Sequence, residues 1–357
     1  MIRKALKNIF FIFTGFILIG ISGSDNILYA DIKLGGMVRN DAIVSKVKDD
    51  AVFTDILETR LEFAAVSQSE DWKFFTDARL YLYYGKTQNN VSFDAKILRS
   101  FIRYFSPIGN FTLGKTYINF GNPGIFNLFE MNKSINFSDL KYDRDGILAF
   151  EYDLSVGTDF FWKIYGSPDY KFDKSSYGTS IGFNAGGFDF GAVANRKDIN
   201  SNIAGVYFKG DLFLGVQGAY AMNFNDNGST YHSEANFGID YSFLEGNLIL
   251  SALFYYNENG AATVESYVFS PNAFLFARYY IYANITGIID EFISLQLSAF
   301  FNLIDGSILI IPAGNFKIAN GLTVITQFLI MTGDGRMDFS RDRYTDFSVI
   351  LRVEGKF

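Results

Sequence analysis

The sequence predicts an all-β fold, a transmembrane antiparallel β-barrel of 18 strands with 16 as the main alternative. Three observations predict it. Hydropathy alternates with period two along most of the chain, connections alternate between short and long, and the composition is rich in aromatic residues and lean in charge.

Composition sets the bounds. The 357 residues suffice for one large domain. They include 40 Phe and 22 Tyr against only 5 Pro, and charged residues make up 19%, where a soluble domain carries roughly a quarter. A lipid-facing wall would use the surplus aromatic surface. With no Cys, disulfides and thiolate metal sites are excluded, and a single His removes most imidazole chemistry. A net charge of −7 argues against a nucleic-acid partner.

The first 30 residues read as an address. Arg3, Lys4 and Lys7 precede an apolar run over 9–22. The run is short of the about 20 residues a helical span needs and fits the centre of a cleaved secretory signal. Ala30 is the expected cleavage position, so residues 1–30 form the signal and 31–357 a single barrel domain.

Within that domain Trp72, Phe74, Ala78, Leu80 and Leu82 take one face of a segment, and Lys73, Asp77, Arg79, Tyr81 and Tyr83 the other. Leu248, Leu250, Ala252 and Phe254 oppose Asn247, Ser251 and Tyr255 in the same way. Such alternation reads as strand, and the segments approach the about 9–11 residues of a tilted membrane strand. Eighteen segments follow, from 31–40 to 346–357, with others at 111–120, 233–243 and 273–285. Even-numbered connections are short, as at 68–71 and 318–320, whereas the long ones (41–55, 121–145, 258–272, 332–345) are all odd. Short periplasmic turns, long extracellular loops and an even strand number are what a bacterial membrane barrel requires.

The chain closes on Phe347, Val349, Leu351, Val353 and Phe357 on one face, with Ser348, Arg352, Glu354 and Lys356 on the other. A last amphipathic strand ending in Phe resembles the C-terminal signature of bacterial outer-membrane proteins. The stretch 111–117, a 25-residue loop and then Arg144-Asp145-Gly146-Ile147 is similar to the strand, third loop and returning strand of porins. Asn302-Leu303-Ile304-Asp305-Gly306-Ser307, with Pro312 and Asn320-Gly321-Leu322, looks like their late hairpins. The resemblance implies a bacterial outer-membrane location, Phe357 as part of the signal read by the barrel-assembly machinery, a homotrimer, and 121–145 as a constriction loop inside the lumen.

Charges in strand centres should point inward, because mid-membrane charge on the lipid face costs about 2–4 kcal/mol. Arg60, Lys73, Arg79, Arg99, Arg103 and Lys115 then form a basic wall, with Arg79 expected opposite Arg99 and Glu58, Glu62 and Asp77 near them. Glu130, Asp139, Asp143 and Asp145 of the loop would face that wall and set a transverse field, the kind of charge arrangement that tunes ion selectivity. Gly121 allows a sharp turn inward, and Phe126, Leu128, Phe129, Met131, Ile135 and Phe137 would anchor the loop.

No catalytic residue is assigned. His232 falls in an expected surface loop without a partner for base chemistry, and the Asp334, Asp338 and Asp342 loop is read as acidic surface, since its arginines oppose calcium binding. No cofactor or metal is expected. The function expected is a passive channel for small hydrophilic solutes or ions. A structural or adhesive barrel with a plugged lumen is the alternative.

Overall fold

The computed structural model of the protein describes residues 32–46, 56–85, 90–121, 125–129, 146–169, 174–198, 201–224, 231–268, 275–340 and 347–357. The expected signal, 1–30, lies outside them. Eighteen strands form one antiparallel sheet. The first nine are β1 (Ile32–Lys46), β2 (Ile56–Gln68), β3 (Trp72–Gly85), β4 (Asn90–Ser106), β5 (Gly109–Thr116), β6 (Ile147–Val156), β7 (Phe160–Ser167), β8 (Ser176–Ala185) and β9 (Phe188–Asp198). The remainder are β10 (Ser201–Asp211), β11 (Gly215–Phe224), β12 (Tyr231–Phe243), β13 (Leu248–Asn257), β14 (Tyr279–Ile288), β15 (Ile293–Asn302), β16 (Ile308–Ala319), β17 (Leu322–Met331) and β18 (Phe347–Lys356).

Each strand pairs with its sequence neighbours, β9 with β10 included, and β1 pairs with both β2 and β18. The ring is closed, so no edge faces lipid, as a bilayer demands of a sheet. Even connections are short throughout, at 69–71, 107–108, 157–159, 186–187, 212–214, 244–247, 289–292 and 320–321. The long ones are odd, as expected.

Alternation sorts the two faces. In β18, Phe347 and Leu351 are exposed outside, while Ser348, Ile350, Arg352 and Glu354 are buried inside. Register carries these phases around the ring. Leu113, Leu148, Val206, Phe237 and Leu297 are among the exposed residues of the apolar outer wall.

Three expectations need correction. β1 runs on to Lys46, so 41–46 continue the strand instead of opening the first long loop. Asp41 is the reason. It sits on the inner face opposite Arg352, which reaches it at 2.8 Å through Nε, while Arg39 Nη2 reaches it at 2.7 Å. An acid that looks like a turn residue is the shared counter-ion of the seam that closes the barrel. β5 ends at Thr116, not 120, because 117–120 leave the sheet for the lumen with Ile118 and Phe120 buried. β14 starts at Tyr279 rather than 273, since Phe276 and Ala277 fold inward and are buried.

Candidate pore and its loops

The wall from β3 to β7 carries the charge of the lumen. Its inner face holds Lys73, Arg79, Lys96, Arg99, Arg103 and Lys163 against Asp77, Asp94, Glu151 and Asp153. Six cations against four carboxylates leave it basic. Arg79 does not face Arg99. A bulge between Asp77 and Ala78 inserts Leu98, which is buried, so Arg99 falls opposite Asp77 and Arg79 opposite Lys96. The extra residue sets the Asp77 carboxylate against Arg99, while Arg79 with Lys96 and Lys73 with Arg103 stand as like-charge neighbours across the two strands.

Arg99 is fixed on three sides. Its Nη2 lies 3.2 Å from Asp77 Oδ2, and its guanidinium carbon sits 4.5 Å from the Phe75 ring centre and 4.8 Å from that of Tyr117. Arg103 donates through Nε to Thr112 Oγ1 at 2.8 Å and reaches Glu151 at 3.4 Å. Lys163 lies 3.2 Å from Asp153 and 3.6 Å from Glu151. Lys73 is half-buried in register with Arg103.

Two members of the expected wall differ. Lys115 stands in register with Ser100 and Leu148, on the outward phase of Leu113, and its ammonium donates to the Ile97 carbonyl at 2.7 Å. β5 ends one residue later, so Lys115 is at a strand end, where the rule that charges point inward relaxes and a backbone carbonyl satisfies the ammonium. For Arg60 the backbone pairs with Arg39 and Tyr81, on the inward phase, and its side chain lies outside the described residues. Glu130, Asp139, Asp143 and Asp145 also lie outside them, as do Met131, Ile135 and Phe137. The acids seen at the wall are Asp77, Asp94, Glu151 and Asp153; of these the sequence reading singles out Asp77 alone, because strand phase by itself does not say which wall an acid will meet.

The opposite wall is neutral: β13, β14 and β15 contain no charged residue. Its inner face offers amides and hydroxyls, in which Ser298 Oγ donates to Asn284 Oδ1 at 2.9 Å and Gln296 Nε2 to the same oxygen at 2.8 Å.

Between the walls lies the loop after β5. Phe126 stacks on Tyr255 at 4.5 Å and 9°, and meets Phe300 edge-on at 6.1 Å. Asn236 Nδ2 donates to the Phe126 carbonyl at 2.6 Å. In a ring of 18 strands the one facing β5 is β14, and Tyr255 and Phe300 flank it on β13 and β15. The loop therefore crosses the whole lumen. Phe126, Leu128 and Phe129 are buried, three of the anchors expected of it. Gly121 (φ +77) makes the turn inward, and a Cβ there would sit 2.6 Å from the Phe129 ring. Gly205 on β10 opens the seat for that ring.

Other long loops fill the far side. Asp338 is fully buried, accepts hydrogen bonds from Tyr280 OH, Phe276 N and Asn302 Nδ2, and its own N–H donates to Asp305 at 2.7 Å. Phe276 and Phe339 join the same apolar cluster as Phe126. The 332–345 loop is thus not all acidic surface, because Asp338 is the polar centre of an inward cap. Glu258, at the foot of the β13–β14 loop, accepts from Ser233 N and Oγ at 2.8 Å each, and these bonds hold its carboxyl below the usual carboxylate range. His232 is likewise not in a loop; it opens β12 beside Glu234, 3.7 Å away. Among the described residues no group of three acids or histidines could hold a metal.

A closed ring with an apolar outside, a polar charged wall inside and a loop across the lumen is a transmembrane β-barrel of porin type. The chain has the fold of bacterial outer-membrane porins. It is similar to Pseudomonas aeruginosa OccK5 (OpdH), with a TM-score of 0.64 at 9% identity over 92% of this chain and 98% of that one. It is similar to Pseudomonas aeruginosa OpdQ at 0.62 and 8%, covering 92% and 98%. A triple mutant of Rhodopseudomonas blastica porin matches at 0.51 and 11%, covering 92% and 100%. No protein-family model matches the chain, and no curated protein matches its sequence.

Proposed function

We propose that the protein is a porin of the bacterial outer membrane, a passive diffusion channel for small hydrophilic solutes or ions. The observation that carries this reading is the division of the lumen. The loop after β5 crosses it to Tyr255 and Phe300, and the arginines of β3 and β4 line the side from which it departs. Solutes would pass beside the charged wall, with the 121–145 loop as the constriction and the wall favouring anions. Its acids Glu130, Asp139, Asp143 and Asp145 would complete the field. Residues 1–30 would be removed as a signal, and the barrel-assembly machinery would read β18 with Phe357. A homotrimer would suit the outer wall.

Planar-bilayer recording of the purified protein tests the function. Discrete conductance steps that saturate with solute or scale with salt are expected. A second reading, a structural or adhesive barrel with a plugged lumen, draws on the cap around Asp338. A folded barrel that conducts nothing would select it. N-terminal sequencing of the mature protein should begin near residue 31.

A further inference from the structure

One face of β12 holds both the far anchor of the loop that crosses the lumen and the only histidine of the chain. Residues 232, 234 and 236 are successive inward positions, opposite Asn223, Ala221 and Ala219 of β11. Asn236 Nδ2 donates to the Phe126 carbonyl at 2.6 Å. Glu234 Oε2 accepts from Tyr255 OH at 2.7 Å, and Tyr255 is the ring on which Phe126 stacks. Glu234 Oε1 accepts from Asn223 Nδ2 at 3.2 Å and lies 3.7 Å from His232 Nε2. Contacts therefore run from the imidazole to the bridge in the order His232, Glu234, Tyr255, Phe126.

The two titratable groups of this chain of contacts differ in their access to water. The His232 side chain is 29% exposed at the long-loop rim, whereas that of Glu234 is 13% exposed. Solvent protons reach the imidazole, and the carboxylate beside it is shielded. Among the described residues, the groups that face His232 are Asn223 on β11, Glu234 on β12 and Glu258 at the foot of the β13–β14 loop. Glu258 also interacts with Arg278, and it is held by Ser233 N and Oγ. Glu234 is thus the carboxylate that links His232 to the bridge, and Glu258 is committed elsewhere.

Imidazole is the side chain whose charge changes between about pH 5 and 8. Uncharged and 3.7 Å away, it lies beyond hydrogen-bond reach of Glu234 and adds little. Protonated, it is a charged donor beside a shielded carboxylate, and charge-assisted hydrogen bonds are roughly twice as strong as neutral ones. The two carboxylate oxygens have separate partners. The imidazolium draws on Oε1 while Oε2 stays with Tyr255, so the added charge fixes the carboxylate in the orientation that holds the Tyr255 hydroxyl. The gain is present on the acid side of the imidazole's titration and is lost as pH rises through it. We propose that His232 is a pH-dependent clamp on the constriction, whose protonation tightens the seat of Phe126 and whose deprotonation loosens it. The clamp stands on these contacts; its effect on current rests on the channel reading.

Two measurements on the full barrel test it, each at about pH 5.5 and about pH 8, on either side of the imidazole's ordinary titration. In planar bilayers the wild type should show several-fold fewer brief excursions of the open-channel current at the lower pH. His232→Gln should stay at the high-pH level throughout. Tyr255→Phe keeps the stacked ring and removes the hydroxyl that Glu234 holds, and it should be equally insensitive to pH. Amide hydrogen exchange over 125–129, corrected for the intrinsic effect of pH, reads the same seat without current. It should be several-fold slower at the lower pH in the wild type and in neither variant. Excursions and exchange that ignore pH, that fall as much in His232→Gln, or that rise on acidification overturn the inference. The two readouts separate the failures. A barrel that carries no current but shows His232-dependent protection overturns the channel reading and supports the clamp, whereas a conducting barrel without that protection overturns the clamp alone.

Discussion

Arg99 is held between two rings and a carboxylate, which makes it a fixed charge and not a mobile one. Fixed charge at a narrow passage acts on every ion that goes by, and two unit charges about 4 Å apart interact by about 1 kcal/mol even in bulk water. Arg79→Ala with Arg99→Ala removes two positive charges and leaves Asp77 without them. The reversal potential under a salt gradient should then move toward cations, with a several-fold change in permeability ratio. Asp77→Asn should move it toward anions. Movement of the double variant toward anions, or none, would mean that these arginines do not line the path. The inward phase of Arg79, Arg99 and Arg103 was legible because charges in strand centres have only one tolerable side, a rule that misplaced Lys115 at the end of β5 and did not single out Lys96 or Lys163. Their pairing was not, since the Leu98 bulge is set by contacts between strands and leaves no mark in one strand's own alternation.

The elements that close and divide the barrel depend on a few buried contacts. Asp41 serves Arg39 and Arg352 at the β1–β18 seam, and all three are buried. Asp41→Ala removes the carboxylate that both guanidiniums bond, and breaking a buried pair from one side costs about 3–5 kcal/mol. The denaturation midpoint of the barrel in detergent should fall accordingly, and an unchanged midpoint would show that water reaches the seam. Phe126→Ala takes away the stacking on Tyr255 at the far end of the bridge. The bridge should detach while the sheet stays, giving larger or noisier conductance steps with an unchanged β-sheet circular dichroism signal. Conductance and noise equal to wild type would mean that the bridge does not narrow the path. Phe357 is a different case. Its side chain is exposed and only its backbone pairs with Gly36, so deleting it should cost little stability once the barrel is folded. Surface levels should nonetheless fall if it belongs to the assembly signal, and normal levels would refute that role. Sequence announced the bridge through Gly121 and its aromatic run, apolar residues that water would waste. It did not announce the cap, because Asp338 among Asp334 and Arg336 looks like any solvated loop until Tyr280 and Asn302 are brought to it from other strands.

At the scale of the whole molecule, period two and the parity of connections pointed to 18 strands with 16 left open, and the ring has 18. Both depend only on local chemistry, with side chains alternating across a pleat and turn residues between apolar runs. Strand ends moved where the chain turned inward, at 117–120 and 276–278, since a segment leaving the sheet for the lumen keeps the apolar character of a strand. Parity also dictates sidedness: the even turns share one rim with both ends of the ring, Ile32 of β1 and Lys356 of β18, and the odd loops share the other. The absence of Cys makes this directly testable. Glu265→Cys lies in the β13–β14 loop and Glu245→Cys in the β12–β13 turn, and both positions are exposed. A membrane-impermeant maleimide added to intact cells should label position 265 at once, and position 245 only after the outer membrane is permeabilised. Labelling of 245 in intact cells with 265 protected would invert the barrel. Equal labelling of both would mean that the ring does not separate the two rims, and the membrane reading would fall with it.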